Sequence, residues 1–252
     1  MKIAVITGAS SGLGIEFAKA CEILRPDIEE IWLLARREDR LIEVAKGLKV
    51  KTKTIRADIT SNTDIENFKN ILAEEKPNIA LLINNAGFGK LGSFDELSCE
   101  ENAAMVRLNC EGLTVMSSIC LPYMKADAEI INSCSIASFA PNTRMAVYSS
   151  TKAYVMCLSR AMRSELKKRK INVIAVCPGP MATEFLSVAG IEKGSSTTFD
   201  TLPRVSPKMM AEKSIKASRK KRSVYTCRAF YKFYRLLAKI LPHSIVMKMC
   251  GT

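Results

Sequence analysis

Ile3-Ala4-Val5-Ile6 runs directly into Thr7-Gly8-Ala9-Ser10-Ser11-Gly12-Leu13-Gly14. Four apolar residues followed by a turn rich in glycine and serine read as a buried strand that opens a helix. Glycines let the backbone fold sharply and come close to a pyrophosphate, whose charge is met by N–H groups at the helix start. A plain strand-to-helix turn needs only one or two of them. Three glycines with two hydroxyls point to phosphate binding at Gly8, Ser10, Ser11, Gly12, Leu13 and Gly14. The spacing, T-G-x-x-x-G-x-G, lies one residue off the common G-x-G-x-x-G pattern.

The same alternation continues outward. Ile31–Leu34, Ala80–Ile83, Glu129–Asn132 and Asn172–Val176 are near-continuous apolar runs, as expected of parallel strands covered on both faces. Thr52–Ile55 is a weaker, edge-like strand. Helical patterns fall between them, clearest at 13–24, 62–75, 99–124 and 146–169. This predicts an α/β fold: a doubly wound parallel sheet with helices on both faces and its ligand at the carboxyl ends of the strands. No internal repeat or low-complexity linker divides residues 1–252, which read as a single domain. Residues 184–207, rich in Ser, Thr, Gly and Pro, are expected to form a long loop that acts as a lid.

Composition sets the outer bounds. With 48% hydrophobic and 25% charged residues, the 252-residue chain is an ordinary globular sequence. Its formal charge of +13 is localised, because residues 204–252 hold thirteen Lys/Arg against Glu212 alone. That segment nets +12 and everything before it only +1. The nine cysteines are scattered singly and His243 is the only histidine, so no metal site is expected. Dispersed cysteines within apolar runs read as reduced thiols of a cytoplasmic protein. With a strand already at residues 3–6 no signal peptide is expected, and no apolar run reaches the roughly 18 residues that span a bilayer.

Two side-chain patterns carry chemistry. Tyr148 and Lys152 are four residues apart, which on a helix stacks phenol and ammonium on one face. A lysine beside a tyrosine favours the phenolate and draws its pKa of about 10 toward neutrality. Such pairs also occur on plain solvated helices, so the weight comes from company. The second strand ends in Ala35-Arg36-Arg37, where an enzyme for the unphosphorylated dinucleotide would carry an acid for the ribose hydroxyls. Arg36 in that place favours NADP(H) over NAD(H), through a charge-assisted contact to the 2′-phosphate.

Six motifs in order then become specific: the glycine-rich segment, Asn84-Asn85-Ala86-Gly87, Asn109 in Asn109-Cys110-Glu111-Gly112, Ser135, Tyr148-x-x-x-Lys152, and Pro178-Gly179-Pro180-Met181-Ala182-Thr183. Over residues 1–185 the chain resembles the short-chain dehydrogenase/reductases in their compact form. The resemblance implies a Rossmann-type sheet of about seven strands and an NADP(H)-dependent oxidoreductase interconverting a ketone and a secondary alcohol. It implies that Tyr148 is the general acid, that Lys152 lowers its pKa and bonds the nicotinamide ribose, and that Ser135 polarises the substrate oxygen. Asn109 would support a water-mediated proton path. Asp58 would meet the adenine amino group, with Ile59 beside it, and an N-cap role for Asp58 is compatible with that contact. Asn85, Ala86, Gly87, Pro178 and Gly179 would complete the cofactor site, and Met181 and Thr183 would fix the carboxamide. Ser133-Cys134-Ser135 departs from the adjacent serines common in the family. Members are commonly oligomeric, which implies a homo-oligomer.

Substrate contacts are expected from Phe139, Met145 and Phe185, an apolar set suited to a steroid or bile acid, a 3-oxoacyl group or an aromatic ketone. Residues 228–241 form an amphipathic helix, with Arg228, Lys232, Arg235 and Lys239 in an arc of about 60° opposite Phe230, Phe233, Leu236, Leu237, Ile240 and Leu241. Three partners suit it: its own domain, which is preferred, an anionic membrane surface, or an acidic substrate or carrier. Nucleic acid is not expected, since no binding module accompanies the charge. The alternative functions are a cofactor-binding regulatory protein that keeps the fold without chemistry and a membrane-peripheral protein of the same fold whose substrate is a lipid ketone.

Overall fold

Each apolar run of the sequence is a strand. The computed structural model describes residues 1–192, 194 and 197–249. Its strands are β1 (Lys2–Thr7), β2 (Glu30–Ala35), β3 (Lys51–Arg56), β4 (Asn78–Asn84), β5 (Glu129–Ser133), β6 (Asn172–Cys177) and β7 (Val224–Thr226). They form one sheet in the order β3-β2-β1-β4-β5-β6-β7, with every neighbouring pair parallel. Parallel strands need crossover connections, and helices supply them. These are α1 (Gly12–Leu24), α2 (Glu38–Lys46), α3 (Asn62–Glu75), α4 (Cys99–Val106), α5 (Leu113–Cys120) and α6 (Ala146–Glu165). They are followed by α7 (Glu184–Val188), α8 (Thr197–Thr201), α9 (Pro207–Arg219), α10 (Ala229–Ile240) and α11 (His243–Met249).

Alternate residues of β1 feed two cores. Ala4 and Ile6 pack with Phe17 and Cys21 of α1 and with Met210, Ala211 and Ile215 of α9. Ile3 and Val5 pack on the other face with Ile65, Phe68 and Leu72 of α3 and Met116 of α5. Because both faces are covered, the strands read as continuous rather than alternating apolar runs. A buried arginine ties two elements together: Arg25, 4% exposed, donates to both oxygens of Asp27 at 2.9 and 3.0 Å and to Glu129 at 2.8 Å. It fastens the end of α1 to the start of β5.

Three expectations change. The predicted helix over 99–124 is interrupted by a π-helical turn at Arg107–Gly112. The helix expected to reach 169 ends at Glu165, before the like-charged run Lys167–Lys170, where Lys170 takes a left-handed φ of 57°. The stretch 184–207 contains α7 and α8, so it is not structureless, although residues 193, 195 and 196 lie outside the described set. Among the described residues no helix is long and apolar enough to cross a membrane.

Candidate active site

Parallel strands put their carboxyl ends on one edge, so the turns after β1, β4, β5 and β6 meet there. Between β1 and β4 the strand order reverses, which opens a crevice above the sheet. A cavity of about 870 Å³ follows this edge.

Its first part is a backbone cradle. Gly8 sits at φ 65°, and a Cβ there would lie 2.8 Å from Ala86 Cα. At Gly14 a Cβ would fall 2.0 Å from the Gly8 carbonyl oxygen, so only glycine lets α1 approach the loop this closely. Thr7 ties the second turn to the first, its hydroxyl accepting from Asn85 N at 3.0 Å and Ala86 N at 3.1 Å. Asn85 in turn donates to the Thr7 and Gly8 carbonyls, both at 3.3 Å. Ser11 begins α1 without a side-chain cap, and no acid occupies the first turn. The positive end of the helix is therefore not neutralised by the chain itself, which suits a pyrophosphate. The cradle fits a dinucleotide, and Ser10, Gly12, Leu13, Ile59 and Gly87 also border it.

Two arginines close its outer end in different ways. Arg36 has a side chain 76% exposed, with its nearest carboxylate, Asp58, at 3.8 Å. Arg37 is committed: it donates to Glu184 of α7 at 2.9 Å and weakly to Ser10 at 3.4 and 3.5 Å. Asp58 lines the cleft, but it does not cap α3. Its Oδ1 accepts from Thr60 N at 2.9 Å and Thr60 Oγ1 at 2.7 Å, while Ser61 supplies the cap.

The middle of the cavity holds the polar group. Ser135 follows β5 and accepts from Ala137 N at 3.1 Å, which sets its rotamer. Its hydroxyl and the Tyr148 phenol line the same cavity, and Ser135 favours the phenolate. Tyr148 and Lys152 lie on one face of α6 and are 8% and 5% exposed. Lys152 Nζ donates to Ser133 O at 2.9 Å and stands 5.7 Å from the centre of the Tyr148 ring. Burial pushes the phenol well above the ordinary tyrosine value, and Ser135 pulls it only part of the way back. Burial also lowers Lys152. Burial sets the direction for Tyr148, upward, opposite to the depression that the spacing of Lys152 suggests, and it favours the protonated phenol.

Asn109 belongs to the π turn, a distortion that recurs at functional sites. Its amide is fully engaged, accepting from Phe88 N at 3.0 Å and donating to Phe88 O at 2.8 Å and Thr151 Oγ1 at 3.0 Å. Thr151 donates onward to Tyr148 O at 2.7 Å. Asn109 thus braces the loop after β4 against the helix that carries Tyr148.

The far end is apolar. Met145 and Phe185 line it as expected, with the Phe185 ring centre 5.6 Å from that of Tyr148. Phe139 does not. It turns away to pack on Tyr234 of α10, ring centres 5.8 Å apart, and Ile136 and Ala137 face the cavity from that turn. Pro178, Gly179, Met181 and Thr183 border the cavity after β6. Sequence reasoning missed Phe88, Leu202, Phe230, Tyr231 and Tyr234, which also line it. For Tyr231, Gly179 is a signal that could have exposed it. A Cβ there would come within 2.4 Å of the Tyr231 ring, so its absence makes the slot that seats α10. Among the described residues no cluster of His, Cys, Asp or Glu could hold a metal ion.

A family model described as short chain dehydrogenase matches residues 2–193. The chain belongs to the short-chain dehydrogenase family. An uncharacterized oxidoreductase of Staphylococcus epidermidis is 30% identical over 184 residues, covering 72% of this chain and 79% of that protein. A short-chain dehydrogenase from Sphingobium yanoikuyae, solved with NADPH, superposes with a TM-score of 0.79 at 26% identity, over 96% of this chain and 97% of that one. The bulky-bulky ketone specific alcohol dehydrogenase of Comamonas testosteroni gives 0.74 at 25% identity, over 96% and 95%. Members of this oxidoreductase family share the seven-stranded parallel architecture described above.

Proposed function

We propose that this short-chain dehydrogenase is an NADP(H)-dependent enzyme that interconverts a ketone and a secondary alcohol on an apolar substrate. The observation that carries the reading is the placing of Ser135 and Tyr148, both buried, with Lys152 beside the phenol ring, between the glycine cradle and an apolar chamber. A nicotinamide cofactor supplies the hydride. The chain supplies the rest. Ser135 holds the carbonyl oxygen, and Tyr148, kept protonated by burial, donates the proton that oxygen needs as it gains charge. Lys152, anchored on Ser133 O, sets a positive charge behind the phenol and stabilises the phenolate left by proton donation. Asn109 supports the proton path by position, since both ends of its amide are engaged. Alcohol oxidation runs the same steps in reverse.

Arg36 at the end of β2, where an acid would repel a 2′-phosphate, supports NADP(H) as the preferred cofactor. Met145, Phe185, Leu186 and Phe199 support a bulky apolar ketone, of steroid or bile-acid, 3-oxoacyl or aromatic type; the bulky-ketone specificity of the Comamonas relative agrees with this class. The test is NADPH oxidation against a panel of these ketones. Turnover should fall about 10²- to 10⁴-fold in Tyr148→Phe with NADPH affinity kept. NADPH binding without turnover of any ketone by the unsubstituted protein would instead assign the fold a binding role.

A further inference from the structure

Helix α10 docks on its own domain, as expected, but not through its most apolar face. Tyr231, fully buried, seats its ring against Gly179 and donates to Pro203 O at 2.7 Å; Tyr234 meets Phe139, and Ala238 packs with Ala140 and with Val246 of α11. These contacts fall on one flank of the wheel. Turned outward are Phe233 (59% exposed), Leu236 (52%) and Ile240 (68%), which fall within an arc of about 60°. Phe230 at the start of the helix and Ile245 of α11 are exposed as well. Five of the twelve exposed large hydrophobics thus sit in residues 230–245, a patch rather than the scatter normal on a surface. Beside the apolar strip run Arg228, Lys232 and Lys239, all exposed, and no Asp or Glu follows Glu212 in the chain.

We infer that this face binds the surface of an anionic lipid bilayer, with Phe233, Leu236 and Ile240 entering the headgroup–acyl boundary and Arg228, Lys232 and Lys239 meeting lipid phosphates. An apolar strip bordered by cations on an otherwise anchored helix is the chemistry of an interfacial element. Charge decides against a second copy as the occupant. A two-fold contact through α10 would set two rows of cations against each other with no acid to compensate. A lipid surface supplies both the apolar medium and the counter-charge. The position adds a consequence. Phe230 and Val188 are exposed and also line the active-site cavity, so the docked face lies at the cavity mouth. An apolar substrate would then enter from the bilayer. That routing rests on the proposed ketone chemistry; the docking itself does not.

Vesicle flotation of the full chain tests the docking, using phosphatidylcholine alone and phosphatidylcholine mixed with phosphatidylglycerol at low and high salt. The protein should float with the mixed vesicles at low salt, and partitioning onto neutral vesicles should be weaker by on the order of tenfold or more. Phe233→Ser with Ile240→Ser, and separately Lys232→Glu with Lys239→Glu, should each reduce flotation at least about tenfold. None of these positions lines the cavity, so turnover of a water-soluble ketone should be unchanged in both variants, which also confirms that they fold. Recovery of the unsubstituted protein in the soluble fraction with anionic vesicles would overturn the inference. So would a dimer, seen by light scattering, that Phe233→Ser with Ile240→Ser dissolves while vesicles capture nothing. Loss of turnover with flotation intact would count against the catalytic reading alone.

Discussion

Replacing Arg36 by alanine separates cofactor preference from cofactor binding. The guanidinium is 76% exposed and its nearest carboxylate lies 3.8 Å away, so it is not committed within the protein and can turn to a phosphate on the ribose. A charge-assisted hydrogen bond contributes about 1.5–3 kcal/mol, and exposure places this one in the lower half of that range. About 1.5–2 kcal/mol corresponds to a roughly 10- to 30-fold loss in kcat/KM for NADPH. The same change should leave NADH within about twofold, because the unphosphorylated ribose offers Arg36 no anionic partner. The effect should shrink as salt rises, since the Debye length falls from about 10 Å at 0.1 M to about 3 Å at 1 M. Arg37→Ala is the control. Its side chain joins Ser10 to Glu184, so its loss should loosen the glycine turn and weaken both cofactors alike. Steady-state kinetics with the two cofactors at two ionic strengths reads all of this. Equal losses for both cofactors in Arg36→Ala, or an unsubstituted enzyme that prefers NADH, would refute the assignment.

Three further perturbations follow from the geometry. Burial raises Tyr148 and lowers Lys152, so the alkaline limb of ketone reduction should follow loss of the lysine charge as pH rises through its lowered pKa; Lys152→Arg should move the limb upward, and an unmoved limb would assign it to Tyr148. Arg25→Met leaves Glu129 buried without its cation and should cost about 3–5 kcal/mol, a fall in Tm of roughly 6–20 °C by circular dichroism. Arg25 also holds the Asp27 carboxyl below its usual range, stabilisation that is present above about pH 4 and lost as pH falls through the lowered value. The acid limb of unfolding should therefore flatten in Arg25→Met, and an unchanged limb would remove Asp27 from the account. Gly14→Ala drives a methyl into the Gly8 carbonyl and should weaken NADPH binding more than tenfold by fluorescence titration at a stability cost of about 1–3 kcal/mol; unaltered binding would show that the turn is not the phosphate cradle.

Strands β1, β2, β4, β5 and β6 were legible because burial on both faces demands near-continuous apolar runs such as Ile3–Ile6 and Ala80–Ile83, whereas β3, at the sheet edge and half exposed, gave only a weak signal. β7 was not legible, since Val224–Thr226 is too short for any period to show. The π turn at Asn109 leaves no mark in composition; it is enforced by the Asn109 amide bonds to Phe88 and Thr151, which are tertiary contacts. Phe139 looked like a pocket residue by its closeness to Ser135. The turn after β5 points its neighbours Ile136 and Ala137 inward instead. The sign of the Tyr148 shift followed the same pattern. Spacing shows that a lysine is near, whereas the burial that raises the phenol is a property of the folded whole. On α10 the wheel displayed every face, but the slot left by Gly179 decided which one packs.

The strand order also has a consequence for the chain as it leaves the ribosome. β1 lies in the middle of the sheet yet is translated before every other strand, so β1, β2 and β3 can pair early while one edge of β1 stays open until β4 emerges. Arg25 is made 104 residues ahead of Glu129 and has only Asp27 for company in the interval. Helix α9, which covers α1 and half of the core, arrives later still. A nascent or truncated chain lacking residues beyond about 206 therefore exposes Phe17, Cys21 and their neighbours to water. Such a chain is a natural client for holding chaperones.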